Sequence, residues 1–436
     1  MSGLGQTLAA LGALRRKFER LMPTARGPSP GTAPNLSDGA SRLRELTAFG
    51  SNPGNLRMLV HVPERLQSNP ALVVALHGCG QSAADYDRGA GWGTLADRAG
   101  FVVVYPQQQA SNNPKTCFSW FLPGDMARGS GEALSIHQMV EHATAKFGVD
   151  RGRVFITGLS AGGAMASVML AAYPETFAGG AIIAGLPYGC AESVQQALEA
   201  MFTKQSPSTR ALGDRVRAAS RHRGSWPTIS VWHGSADAIV KPSNAEHVTR
   251  QWANVHGLST TPTHTELIAG HTRRVWNDIN GKTVIEMYSI VGMSHGVPIA
   301  SSPSAERLGS TGPFFHDVGL SSTHHIARFW NLDLGCLEAH GAEAALKTGA
   351  GANDAEARAI KVAAKTYNED AQPQTASLRR HTTQPGRLLL LDPNLVIAAA
   401  FKAAGLPAPE ASTAKPSGVH PQPIIDAALK AAGLKL

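Results

Sequence analysis

A serine set among small residues, then an aspartate, then a histidine, are the residues of this sequence that could carry nucleophilic acyl transfer. The serine lies in Gly158-Leu159-Ser160-Ala161-Gly162, between an apolar run at 154–157 and a small-residue run of helical character at 163–173. A Gly-x-Ser-x-Gly turn from strand to helix is sharp and strained, and it pushes the hydroxyl out at the top of a sheet. The turn also brings backbone N–H groups near the hydroxyl, where they can hold a developing oxyanion. With 45 glycines in 436 residues, chance gives roughly 0.3 such matches in a chain of this length, so the motif gains weight only from its context.

That context is present. A serine hydroxyl is a weak nucleophile at neutral pH and needs a general base, usually His, which in turn needs an acid to fix its tautomer. Behind an elbow of this kind the chain order is Ser, Asp or Glu, His. The apolar run 228–232 leads into His233-Gly234-Ser235-Ala236-Asp237, and the alternating run 284–290 leads into Gly292-Met293-Ser294-His295-Gly296. Asp237 and His295 therefore follow expected strands, as Ser160 does, at the edge where open α/β sheets bind ligands. Among the 17 histidines, His233 is the nearest rival but precedes the aspartate. His271 lacks a clear strand before it. The second oxyanion donor usually comes from the loop after an early strand. Here the run 72–76 ends in His77-Gly78-Cys79-Gly80-Gln81. The amides of Cys79 and Ala161 are the expected pair, and His77 is placed beside the substrate.

Several segments fit one pattern in order: 76–81 (LHGCGQ), 103–108 (VVYPQQ), Cys117-Phe118-Ser119-Trp120-Phe121, 158–165 (GLSAGGAM), 184–191 (AGLPYGCA), 232–237 (WHGSAD), 270–273 (GHTR) and 292–296 (GMSHG). Over about residues 50–335 the chain resembles the polyhydroxybutyrate depolymerase-type esterases of the α/β-hydrolase superfamily. Feruloyl and acetylxylan esterases share much of the pattern. The resemblance implies a Ser160–Asp237–His295 triad, an oxyanion hole on the Cys79 and Ala161 amides, a Cys79–Cys117 disulfide and an aromatic, Trp120, near the substrate cleft. It implies no metal or organic cofactor. The expected reaction is two-step acyl transfer on a polyester or a short-chain 3-hydroxyalkanoate ester. The alternatives are a feruloyl or acetylxylan carboxylesterase and, in another class, a non-catalytic granule-binding protein.

Composition fits a packed enzyme: 43% hydrophobic and 17% charged residues, ordinary for a globular core. No run of 18 apolar residues is present, so no membrane span is expected. A formal charge of +8 gives solubility or loose attraction to anionic surfaces; without a nucleic-acid motif it does not point to nucleic acid. No zinc-ligand spacing or P-loop stands out. Four cysteines in so long a chain are not a disulfide framework. The apolar part of the first segment, 7–14, precedes its charges Arg15, Arg16, Lys17 and Arg20, the reverse of a secretory signal. The expectation is a cytoplasmic protein, free or granule-associated, with an extracellular setting as the alternative. A cytoplasmic setting would keep Cys79 and Cys117 reduced.

The expected organisation is an amphipathic helix and a Pro/Gly/Ser linker over 1–47, a catalytic domain over 48–335, a linker over 336–390 and two short repeated helices over 391–436. The domain is expected as a mostly parallel sheet with helices on both faces. Strands are expected at 57–62, 72–76, 101–105, 153–157, 180–184, 228–232 and 284–290, and helices at 89–99, 132–147, 161–173, 191–202, 243–256 and 322–331. The polar, basic segment 202–225 is expected as a loop or lid. In the tail, Lys402-Ala403-Ala404-Gly405-Leu406 recurs as Lys430-Ala431-Ala432-Gly433-Leu434. Each closes an amphipathic helix too short to stand alone, which therefore needs an apolar partner. A polyester granule surface is one such partner.

Overall fold

The computed structural model describes residues 42–202, 207–304 and 306–332. Residues 1–41 of the expected N-terminal helix and linker, Cys336, the 336–390 linker and the repeated helices of 391–436 lie outside the described residues.

Ten strands build the main sheet: β1 Arg44–Leu46, β2 Arg57–His61, β3 Leu72–Leu76, β4 Val102–Gln107, β5 Val154–Leu159, β6 Gly179–Ile183, β7 Thr228–Gly234, β8 His264–Ile268, β9 His271–Asn277 and β10 Thr283–Ile290. Their order is β1-β2-β4-β3-β5-β6-β7-β10-β9-β8. The six central strands, β4-β3-β5-β6-β7-β10, run parallel. The outer ones are antiparallel. Two short strands, β11 Val297–Ile299 and β12 Phe315–Asp317, pair separately.

The central strands are apolar along their whole length because both faces are covered. Side chains alternate between the faces. Leu72, Val74 and Leu76 of β3 join one core, while Val73 and Ala75 join the other. Helices Gly131–Phe147, Ala161–Ala172 and Ser243–Val255 pack into the first core. Helices Ala83–Ala90, Trp92–Ala99 and Ser322–Phe329 pack into the second.

Register sets the site. Leu76 pairs with Gly158, Leu159 with Ile183, Ile183 with Trp232, and Gly234 with Ile290. The carboxyl ends of β3, β5, β6, β7 and β10 therefore finish level, and the residues just past them fall on one edge.

Three expectations are corrected. The helix expected at 89–99 is two helices, Ala83–Ala90 and Trp92–Ala99, broken at Gly91, whose φ of +79° is left-handed. The segment expected as a loop or lid contains a helix, Thr209–Ala219, capped by the Ser208 side chain on the Ala211 amide. It packs on the helix Ser243–Val255 through Leu212, Gly213 and Val216. The β8–β9 hairpin adds two strands where none was expected, and His271 opens β9. Strand β1, Arg44–Leu46, pairs antiparallel with β2 at the edge of the sheet.

Candidate active site

Ser160 follows β5 directly and caps the helix Ala161–Ala172. Its backbone sits at φ +57°, ψ −116°, a conformation costly to a side-chain-bearing residue and held only where the surroundings over-determine it. The surroundings do so with glycine. A Cβ on Gly162 would lie 2.4 Å from the Leu76 carbonyl oxygen and 2.5 Å from that of His77, and one on Gly158 would lie 2.4 Å from the Gly162 carbonyl. The turn thus closes against the end of β3. The Ser160 amide donates to the Ile183 carbonyl at 2.9 Å, tying the elbow to β6.

His295 and Asp237 meet across the ends of β7 and β10. Nδ1 of His295 lies 2.7 Å from Oδ2 of Asp237. An ionised carboxylate only accepts, so Nδ1 carries the proton and Nε2 is left as the basic nitrogen. That Nε2 is buried with no hydrogen-bond partner among the described residues. Ser160 and His295 line the same pocket, whose other walls are Gly78, Cys79, Gln81, Leu159 and Phe314 and whose room is about 10 Å³, close to that of one water. Contacts between nucleophile and base commonly tighten only once substrate is bound.

Asp237 is buried and fully engaged. Its Oδ1 accepts from the Ile239 and Val240 amides, each at 2.9 Å. Besides His295, Oδ2 has Nε2 of His233 at 3.2 Å. That nitrogen is also 2.8 Å from the Val240 carbonyl; between two acceptors it carries a proton and donates. Burial alone would raise the Asp237 carboxyl. The hydrogen bonds from His233 and His295 outweigh it and hold the group well below the ordinary range. His233 was weighed as a rival base and is instead a second donor to the same carboxylate. His271, the other rival, accepts from the Val291 amide on Nδ1 and faces the Val318 carbonyl on Nε2. It braces the loop that leads to His295.

The loop after β3 presents one amide to the pocket. Gly78 donates to Oε1 of Gln81 at 2.8 Å, Gly80 to the Lys115 carbonyl at 2.7 Å and Gln81 to the Gly78 carbonyl at 3.3 Å. Among the described residues the Cys79 amide has no acceptor. Ala161, first in its helix, has none within the helix, as for any first-turn amide. The Cys79 and Ala161 amides, expected to form an oxyanion hole, are thus free of these commitments; the Gly162 and Gly163 amides of the same first turn likewise lack an acceptor within the helix, whose first bond is from Ala164 to the Ser160 carbonyl.

This loop is held from behind. Cys79 and Cys117 are joined by a disulfide with an S–S distance of 2.09 Å. His77 accepts from the Gln108 amide on Nε2 at 3.1 Å and donates from Nδ1 to the Gly78 carbonyl at 2.8 Å. Burial drives its pKa down to about 4, so the ring stays neutral. The side chain of Gln108 donates to Glu132 at 2.6 Å, and Glu132 also accepts from the Ser119 amide at 2.8 Å. Burial pushes the Glu132 carboxyl up to about 7, against the pull of the Ser119 and Gln108 hydrogen bonds.

Two expected substrate residues are therefore relocated. His77 is wholly buried with both nitrogens on backbone groups, so it shapes the loop and has no surface for a substrate. Trp120 is 6% exposed, packs edge-on against Phe121 and belongs to the core beside Cys117 and Phe118; it is not a wall of the Ser160 pocket. Phe314, which meets the His295 ring edge-to-face at 5.9 Å, and Gln81 are walls that sequence reasoning did not assign. Gln81 carried a signal, standing three residues beyond Gly78 in the 76–81 motif; Phe314 lies in a loop with none.

Cys190 is a free cysteine, and burial pushes its thiol up to about 12. Among the described residues no group of His, Cys, Asp or Glu is arranged to hold a metal ion, and no helix is long and apolar enough to cross a membrane.

A mostly parallel sheet with a serine on a strained strand-to-helix turn at its carboxyl edge defines the α/β-hydrolase class. Within that class, the sequence profile of the family described as "Esterase PHB depolymerase" matches residues 59–276; the chain belongs to this family and is a carboxylic ester hydrolase. It is 44% identical to "Poly(3-hydroxyalkanoate) depolymerase C" of Paucimonas lemoignei over 66% of this chain and 70% of the relative. It is 33% identical to "Feruloyl esterase B" of Talaromyces stipitatus over 63% and 77% of the two chains. Among solved structures, the acetyl xylan esterase from Aspergillus awamori superposes with a TM-score of 0.57 at 27% identity, covering 66% of this chain and 99% of its own.

Proposed function

We propose that this enzyme hydrolyses poly(3-hydroxyalkanoate), or its short 3-hydroxybutyrate oligomers, with Ser160, His295 and Asp237 as a catalytic triad. The observation that carries the chemistry is the meeting of the strained Ser160 and the unpartnered Nε2 of His295 in one pocket, with Nδ1 of His295 on Asp237. His295 takes the Ser160 proton as the oxygen attacks the ester carbonyl. The oxyanion forms against the Cys79 and Ala161 amides. His295 then protonates the leaving alcohol, and a water activated by the same nitrogen releases the acid. Asp237 stays ionised throughout and holds the ring.

The polyester as substrate is supported by the 44% identity to the Paucimonas depolymerase. A feruloyl or acetylxylan ester is the second reading, supported by relatives of those names at lower identity. The test is release of 3-hydroxybutyrate from amorphous polymer granules by the full chain and by Ser160→Ala. Release by the unaltered enzyme alone is expected. Cleavage of methyl ferulate with none of hydroxybutyrate oligomers would move the assignment to the second reading.

The catalytic unit proposed is 48–335 together with β1, flanked by the 1–47 and 336–390 segments. The repeated helices of 391–436 are proposed to adhere to the polymer granule; unchanged granule binding after their deletion would remove that role. Between a cytoplasmic and an extracellular setting, the Cys79–Cys117 bond supports the extracellular alternative, since such bonds persist in oxidising compartments.

A further inference from the structure

A second hollow, of about 420 Å³, opens beside the Ser160 pocket and shares three walls with it: Cys79, Gln81 and Phe314. Its far side is Thr311, Pro313 and Phe315. The walls carry two aromatic rings and a proline together with the Asp85–Arg88 ion pair, Ser310 and Thr311, and Gln81 adds a buried polar group. Gln81 is 9% exposed; its Oε1 is fixed by the Gly78 amide, which settles which end of the side chain is nitrogen. The Nε2 so defined is buried and has no hydrogen-bond partner among the described residues. An orphaned buried donor costs free energy and calls for an explanation.

We propose that this groove holds the leaving-alcohol side of a 3-hydroxyalkanoate ester, and that Gln81 Nε2 donates to the carbonyl of the next unit. The inference rests on the polyester reading above and extends it to one side of the scissile bond. The leaving oxygen departs beside His295, and Phe314 packs on that ring and lines the groove. In a 3-hydroxyalkanoate chain the next carbonyl stands three bonds beyond the scissile oxygen, and the carbons between are apolar. Phe314, Phe315 and Pro313 offer apolar wall to those carbons, and Gln81, on the wall shared with the Ser160 pocket, stands on the side from which the next carbonyl would be met.

Two esters with the same acyl group isolate the alcohol side: methyl 3-acetoxybutanoate, followed by acetate release, and p-nitrophenyl acetate. The readout is the ratio of their kcat/KM values. Gln81→Met removes the donor and should lower the ratio about tenfold. Thr311→Trp, at an exposed wall, fills the groove and should lower it by at least as much. The proposal fails if Gln81→Met slows both esters equally, which would make the donor part of the reacting-carbonyl site or of the loop's support. It also fails if Thr311→Trp leaves the ratio at its starting value. In both cases the unaltered enzyme still releases acetate from the acetoxybutanoate and the polyester reading stands. If the unaltered enzyme cleaves only the nitrophenyl ester, the polyester reading falls and this inference with it.

Discussion

The serine elbow and the loop after β3 face each other across one pocket, yet they are held by opposite means. The elbow is fixed by shape. All twelve residues of its helix and all six of β5 are buried, and missing Cβ atoms let backbone pass within contact distance of backbone. The loop is fixed by partners far along the chain: a disulfide 38 residues on, the Lys115 carbonyl, and a buried chain running from His77 through Gln108 to Glu132. The first kind of support is rigid and local. The second is assembled, so it can be loosened without unfolding the sheet.

Variants sharpen that contrast in descending order of effect. Asp237→Asn leaves both regions in place and disturbs only the histidine between them; kcat should fall about 10⁴-fold, measured on p-nitrophenyl acetate. Gly162→Ala strikes the elbow. The added carbon meets backbone rather than a side chain, so stability should drop by about 1–3 kcal/mol in denaturant melts and kcat by about 100-fold as the reacting groups shift. Cys117→Ser, or reduction of the disulfide, strikes the loop. It should lower kcat about tenfold or more, short of the 10²–10³ for losing an oxyanion donor outright, and remove about 2–4 kcal/mol of stability. If elbow and loop variants instead lost activity in equal measure, the distinction between the two kinds of support would be broken.

The smallest expected effect is a pH dependence. The folded-state pKa of Glu132 is raised, to about 7. The stability linked to its protonated form is complete below the ordinary glutamate value and is lost as pH rises through 7. Glu132→Gln should therefore shrink the gap in stability between pH 5 and pH 8 by about 1–3 kcal/mol. A gap unchanged by the substitution would mean that Glu132 is ionised throughout that range.

The same contrast explains what could be read from the sequence. The elbow, Asp237 and His295 stand in local motifs at strand ends, and the register of the parallel strands brings those ends level. The support of the loop is not local, so nothing near His77 reveals that Gln108 and Gly78 take both its nitrogens. Trp120 is placed near the cleft by the resemblance alone, whereas its burial against Phe121 decides where it sits. The β8–β9 hairpin was hidden by charge. Arg273 pairs with Glu266 and Glu286, and Arg274 with Glu246, so these strands are stabilised by ion pairs and lack a plain apolar alternation. The helix Thr209–Ala219 buries only Leu212, Gly213 and Val216, too thin a stripe to stand out in a basic segment.

The central claim is that Ser160 is the nucleophile of an ester hydrolase. An organophosphonate that traps activated serines, followed by peptide mapping, tests it most directly. The prediction is one adduct per chain, on the peptide carrying Ser160, formed much more slowly in the Asp237→Asn enzyme. An adduct on another serine, or full ester turnover after stoichiometric labelling of Ser160, would contradict it.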